Sequence, residues 1–263
     1  MTRPVITLTT DFGDDLFAGV MKGVIVGVNP EARVIDLTHA ITPGDVRAGA
    51  FALLAGCRYF PPGAIHVVVV DPGVGSSRRV LCVRTREATF LAPDNGVLSW
   101  VLGRDAPVEI RAVENRTFFL EHVSHTFHGR DVFAPVAAHL SLGVEPEELG
   151  PEIPPDDIAR MPFPQPERPD ARTLRGEILT IDRFGNCISN IGAEEVTKAD
   201  PPSVQVEAAS LCLSGLHTSY ADAAAGTPLA IIGSAGFVEI AVSGASAARR
   251  FGLKVGDTVT LTL

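Results

Sequence analysis

The sequence predicts an α/β fold, with an N-terminal α/β sheet domain and a smaller C-terminal all-β barrel domain. Three observations carry this prediction. Short apolar runs alternate with longer amphipathic stretches up to about Gly143, seven prolines crowd the stretch from Pro151 to Pro169, and the remainder breaks into β-like runs spaced by Gly, Ser and Pro. The boundaries follow: residues 1–150 form the α/β domain, 151–170 a semi-rigid linker, and 171–263 the barrel.

Val5–Thr10 reads as the first strand, and Asp14–Val28 as a helix with apolar spacing at Leu16, Val20 and Val24. Arg33–Leu37 is a second strand. Thr42-Pro43-Gly44-Asp45 opens an Ala-rich helix over Val46–Cys57. Ile65–Val70 is a nearly unbroken β-branched run, the pattern of a strand buried on both faces of a parallel sheet. Val80–Val83, Thr89–Leu91 and Val108–Val113 are shorter strands, while Val97–Leu102 and Asp131–Leu142 have helical spacing. Beyond Arg172 the predicted strands are Gly176–Asp182, Ser203–Val206, Leu229–Ile232, Phe237–Val242 and Thr258–Leu263.

Composition excludes several function classes. The chain has 263 residues, 46% of them hydrophobic, which is enough for a globular core but includes no run of about 20 apolar residues to span a membrane. No secretory leader precedes the first strand, so a cytoplasmic protein is expected. A formal net charge of -9, without a basic aromatic-laced stretch, argues against nucleic acid and suits a small cationic ligand. Cys57, Cys82, Cys187 and Cys212 lie far apart with neither zinc nor disulfide spacing, so buried reduced thiols are expected. His122 and His125 complete no metal-ligand pattern, and no metal site is predicted.

The polar residues cluster at strand ends. Thr9-Thr10-Asp11, Thr38-His39 and Asp71-Pro72-Gly73 each close a predicted strand, and open α/β sheets bind ligands outside the carboxyl ends of their strands. Asp11 and Asp14 could equally cap a helix. Asp71 begins a glycine-rich turn ending in Arg78-Arg79 that matches neither a Walker loop nor GxGxxG. Its carboxylate follows four valines, a costly place for an unpaired charge. His128, in Thr126-Phe127-His128-Gly129-Arg130-Asp131, stands near a helix N-terminus, where the dipole favours its neutral form; a plain capping turn fits that segment as well. Asp182-Arg183-Phe184-Gly185-Asn186 is either a β-turn or an aromatic platform with polar readers.

Together these segments resemble the S-adenosylmethionine hydroxide adenosyltransferase family, the hydrolytic relatives of fluorinase and chlorinase. The likeness rests on Thr10-Asp11-Phe12-Gly13, Thr42-Pro43, Val70 to Gly75, Ala92-Pro93-Asp94-Asn95-Gly96, Phe127 to Asp131 and Asp182 to Asn186, in that order and over nearly the whole chain. It implies a homotrimer with S-adenosylmethionine bound between subunits and no separate cofactor. It also implies that Asp71, Arg78 and His128 are catalytic, that Asp11 holds the ribose diol, and that Asp182, Phe184 and Asn186 reach the methionine end from the neighbouring subunit. Asn95 and Phe127 join the implied substrate-binding set. Halogenating relatives carry an uncharged residue at the position of Asp71, and fluorinase a serine at that of Gly129, so this chain follows the hydrolytic pattern. Gly44 departs from it, standing where fluorinase has a tryptophan against the ligand, and Ala241 to Ser246 keeps only part of the family motif. The expected reaction is attack of water at ribose C5′, giving adenosine and methionine. The rivals are a halide-dependent transferase, a module that binds the substrate without turnover, and a metal phosphatase built on Asp11, Asp14 and Asp15.

Overall fold

The computed structural model describes residues 4–197 and 200–263, and the chain divides into two compact units meeting between Phe163 and Pro164. In the first unit the elements run β1 (Val5–Thr10), α1 (Phe17–Val28), β2 (Arg33–Thr38), α2 (Val46–Gly56), β3 (Ala64–Val69), β4 (Val80–Arg84), β5 (Ala88–Pro93), α3 (Ser99–Leu102), β6 (Glu109–Ala112) and α4 (Ala134–Ser141). The strands form one six-stranded sheet in the order β2-β1-β3-β5-β4-β6.

Alternation along β3 builds the layers. Ile65, Val67 and Val69 pack with Met21 and Ile25 of α1 and the apolar face of α4, while Val68 and Val70 pack with Leu53 of α2 and Val101 of α3. A strand with helices on both faces must be apolar on both, which is why this β-branched run was the most readable segment. The sheet is mixed. β2, β1, β3 and β5 pair parallel, but β4 runs antiparallel to both β5 and β6. Only Thr85–Glu87 separate β4 from β5, too few residues for a parallel crossover, so the pair is a hairpin. α1 begins at Phe17 rather than Asp14, because Asp15 turns its carboxylate onto the Leu16 N–H instead of extending the helix.

The second unit contains β7 (Thr173–Ile181), β8 (Cys187–Gly192), α5 (Ala193–Val196), β9 (Gln205–Ala208), β10 (Leu211–Ser214), β11 (Leu216–His217), β12 (Pro228–Ile232), β13 (Phe237–Val242), α6 (Ala247–Phe251) and β14 (Thr258–Thr262). Its eight strands follow the order β10-β9-β14-β7-β8-β13-β12-β11, and the sheet curls into a nearly closed barrel around Ile178, Cys187, Val206, Val238 and Leu261. β8 was not anticipated, because its Ser189 and Asn190 break the apolar period. Both are buried in the strand and satisfied: Ser189 donates to the Val238 carbonyl, and Asn190 accepts from Glu177 N–H and donates to the Pro164 carbonyl. The segment expected as a strand from Ser203 starts at Gln205, after a short 3-10 turn over Pro201–Ser203. The four cysteines are free. Cys82 and Cys187 are buried with thiols pushed up to about 12 by loss of solvent, whereas Cys212 is exposed on β10, against the expectation of buried thiols throughout. No helix among the described residues is long and apolar enough to cross a membrane.

Candidate active site

The C-terminal ends of β1 and β3 carry the site. Asp71 lies two residues beyond β3 and Asp11 one residue beyond β1, and both border a small cleft of about 60 Å³ together with Phe12, Val74, Phe127, His128 and Gly129. Of the three strand-end groups expected to converge, these two do. His39 does not reach the cleft and bonds instead to Thr10 behind it.

Asp71 is paired, as its position after four valines requires. Arg78 Nε donates to both carboxylate oxygens at 3.0 and 2.9 Å, and Arg78 Nη2 donates to Oδ2 at 2.5 Å. The side chains of Asp71 and Arg78 are only 4% and 11% exposed, so this is a buried pair and not a surface one. The same Nη2 lies 2.8 Å from His128 Nδ1. A guanidinium nitrogen can only donate, so Nδ1 accepts, and the proton of the neutral imidazole sits on Nε2. His128 is held below the ordinary histidine pKa, first by loss of solvent and then by the Arg78 cation. His128 precedes a π-helical turn over Gly129–Phe133, and α4 starts only after it.

Two local features bring these distant segments together. Gly75 has φ +77°, and a Cβ there would stand 2.2 Å from the His125 carbonyl oxygen, so only glycine lets the Asp71–Arg78 turn lie against the loop leading to His128. Asp131, fully buried, fixes that loop from the other side by accepting from Ser124 N–H and from Arg130 Nε. Neither role was visible in the sequence. Phe127 packs edge-on against Phe12 and Phe17, and a Cβ at Gly129 would meet its ring at 3.0 Å and Met21 Sδ at 3.1 Å. A second cleft of about 420 Å³ borders Arg78 and His128 and is lined by Ser76, Arg116 and His125.

Asp11 caps no helix. Its Oδ2 accepts the Gly44 N–H at 2.7 Å. Asn95 stays out of the cleft lining, because its amide donates to the Val70 carbonyl at 2.9 Å and accepts from Val97 N–H at 3.2 Å. In the second unit, Asp182 Oδ1 accepts the N–H groups of Phe184 and Asn186, both at 2.9 Å, and Oδ2 accepts from Asn186 Nδ2 at 2.9 Å. This closed turn leaves Phe184 77% exposed. Among the described residues no group of three or more His, Cys, Asp or Glu side chains is disposed to hold a metal ion.

A mixed α/β unit with a hydrogen-bonded Asp–Arg–His chain at its strand ends, followed by a β-barrel unit with a polar turn under an exposed phenylalanine, defines the class. Residues 6–150 match the SAM hydroxide adenosyltransferase N-terminal domain and residues 176–260 its C-terminal domain. The chain belongs to this family. It is 40% identical to an (R)-S-adenosyl-L-methionine hydrolase of Thermus thermophilus, over 98% of this chain and 99% of that protein. A fluorinase of Actinoplanes is 29% identical over 99% of this chain and 98% of its own length. The crystal structure of an uncharacterized conserved protein from Thermotoga maritima superposes with a TM-score of 0.92 at 35% identity, covering 98% of this chain and all of that one.

Proposed function

We propose that this protein hydrolyses S-adenosyl-L-methionine to adenosine and L-methionine by attack of water at ribose C5′. The observation that carries the proposal is the hydrogen-bonded Asp71–Arg78–His128 chain, built on a buried Asp71–Arg78 pair, beside a cleft that Asp11 also borders. The leaving group is a neutral thioether departing from a sulfonium, so it needs no acid, and the nucleophile is the difficulty. Water has a pKa of about 15.7, and lowering it to about 7 by electrostatics alone would take roughly 12 kcal/mol at about 1.36 kcal/mol per pKa unit. A charge-assisted hydrogen bond supplies about 1.5–3 kcal/mol, so Arg78 cannot make free hydroxide by itself.

The proton must pass to a base as the C–O bond forms. His128 is poorly placed for that role, because Nδ1 is occupied by Arg78 and Nε2 already bears a proton. Asp71 Oδ1 accepts one shared Arg78 N–H and keeps a lone pair for water. Asp71 is therefore the base or proton-sharing acceptor. Arg78 offsets its charge and the oxygen's developing charge, and His128 fixes the guanidinium and presents Nε2–H as a donor. General base catalysis of this kind is worth about 10²–10⁴-fold, and holding the water in line with the breaking C–S bond supplies much of the remainder. Asp11 Oδ1 suits a ribose hydroxyl. A buried carboxylate at Asp71 disfavours a halide at the same point, which separates this reading from a halide-dependent transferase.

The cleft of about 60 Å³ that Asp11 and Asp71 border is smaller than the ~300–1,000 Å³ of ordinary ligand sites, so it would not by itself hold the whole substrate. This supports a homotrimer in which a neighbouring copy supplies Asp182, Phe184 and Asn186 to the methionine end, with Phe127 against the adenosyl group. Asn95 acts there by tying Val70 to the start of the next turn. The cytoplasm, where the substrate is made, is the proposed place of action. Purified protein incubated with S-adenosylmethionine in halide-free, chelator-treated buffer should release adenosine and methionine in equal amounts, and Asp71→Ala should not. Product formed only on adding chloride would favour the transferase, and binding without product the sensor. Mixing inactive Asp71→Ala and Asp182→Ala proteins should restore activity if the site is shared between copies, and should not if each chain builds its own.

A further inference from the structure

We propose that His39, which does not line the cleft, is the positioning residue for Asp11. The inference rests on the proposed S-adenosylmethionine hydrolysis and deepens the role given there to Asp11.

Asp11 sits in the turn Thr10-Asp11-Phe12-Gly13, which leaves β1 and bends at Gly13 with φ +64°. Both ends of this turn are fastened to one residue. At the near end, the Thr10 hydroxyl lies 2.8 Å from His39 Nδ1, and at the far end the Gly13 N–H donates to the His39 carbonyl at 2.8 Å. Asp11 and Phe12, the two cleft residues of this strand end, lie between these anchors.

Neighbouring groups complete the anchor. His39 Nε2 is 3.0 Å from Asp36 Oδ1, and Lys22 Nζ donates to Asp36 Oδ2 at 2.6 Å. Thr10 Oγ1 and His39 Nδ1 share one hydrogen bond, and the Thr10 oxygen also accepts the Phe12 N–H at 3.3 Å. Thr10 is fully buried, so removing the imidazole would take a hydrogen-bond partner from a hydroxyl that has no access to solvent.

A break in strand register supplies the alignment. β1 and β2 pair residue for residue through Leu8 with Asp36, and then slip so that Thr9 faces Thr38. The extra residue carries the chain one step further along β2, which brings His39 abreast of Thr10. Irregularities of this kind next to functional sites commonly re-aim a side chain. Asp11 is thus held at three points: at Oδ2 by Gly44, before it by Thr10 and after it by Gly13.

The test is steady-state hydrolysis of S-adenosylmethionine by His39→Leu and Thr10→Val, each alone and combined with Asp11→Ala. One lost hydrogen bond corresponds to about a three- to tenfold rise in KM. That rise is expected in both single variants, with kcat within about threefold of wild type, and it should vanish when Asp11 is already alanine. Unchanged KM in both singles, or a penalty that adds in full to that of Asp11→Ala, would overturn the proposal. Thr10→Val reports on the same anchor if His39→Leu fails to fold. Failure of the underlying reading is separate, since wild type itself would then release no adenosine.

Discussion

The two polar clusters of this chain are built in opposite ways. In the first unit, Asp71, Arg78 and His128 come from segments seven and fifty residues apart and depend on each other for hydrogen bonds, with the Asp71 and Arg78 side chains almost out of solvent and His128 half-buried. In the second, Asp182 satisfies its carboxylate within four residues and leaves Phe184 in the open. A buried, mutually dependent cluster is costly to perturb and suited to hold a reacting water. A closed local turn keeps its shape alone and can meet a ligand from outside. Under the proposed function the first cluster would serve chemistry and the second recognition, and substitutions should then divide along the same line.

The largest effect is expected at Gly75. A methyl group there would meet the His125 carbonyl, a backbone atom that cannot swing aside, and the residue sits at positive φ. Gly75→Ala should therefore separate Arg78 from His128 and abolish adenosine release, with a melting temperature lowered by a loss of at least about 2 kcal/mol. Near-normal turnover would break the idea that the two loops must touch.

Arg78→Lys should come next. One guanidinium nitrogen serves both Asp71 and His128, and a lysine has no planar fork to do the same. A fall in kcat of about 10–100-fold at similar KM is expected, read by single-turnover release of adenosine. An equal rise in KM instead would move Arg78 from chemistry to binding.

Two pH effects sharpen the contrast. His128 has its pKa lowered, so the neutral form that accepts from Arg78 persists below the ordinary histidine value of 6.5. The acid limb of kcat/KM should accordingly lie below that value, and an acid limb above it would contradict the assigned tautomer. Stability responds to a different histidine. His66, at the far end of β3, is buried beside Phe90 with its pKa lowered to about 4. Between about 4 and 6.5 the unfolded chain binds a proton there that the folded chain does not, so stability is lost as pH falls through that window. His66→Phe should flatten this part of the melting-temperature profile.

The smallest effect belongs to the second cluster. Phe184→Ala removes an exposed ring, so thermal stability should change by less than about 0.5 kcal/mol while KM for S-adenosylmethionine rises several-fold. A large loss of stability would show that the phenylalanine belongs to the barrel core.

Legibility followed the same division. Elements whose cause is local were readable: the β-branched run of β3, the strands β12, β13 and β14, and the Asp182 turn. Elements decided by distant partners were not. The direction of β4 depends on which neighbours it pairs with, and β8 hides its strand character behind two buried polar side chains whose donors and acceptors lie elsewhere in the chain. In the candidate site, the placement of Asp71 after four valines signalled a need for a partner, and Arg78 lay within the same turn. Nothing in residue spacing tied His128 to them across fifty positions; its grouping came from family resemblance. Gly75 and Asp131 act through backbone contacts, so each looked ordinary in one dimension, and His39 stood out only as a strand-end residue expected to reach the cleft itself.

Hydrolysis in ¹⁸O-enriched water tests the central claim most directly. Wild-type protein given S-adenosylmethionine in halide-free buffer should release methionine and adenosine carrying ¹⁸O at the 5′-hydroxyl, with both lost in Asp71→Ala. Unlabelled adenosine, or a 5′-halogenated product as the main species once halide is supplied, would contradict attack by a water held at Asp71, Arg78 and His128.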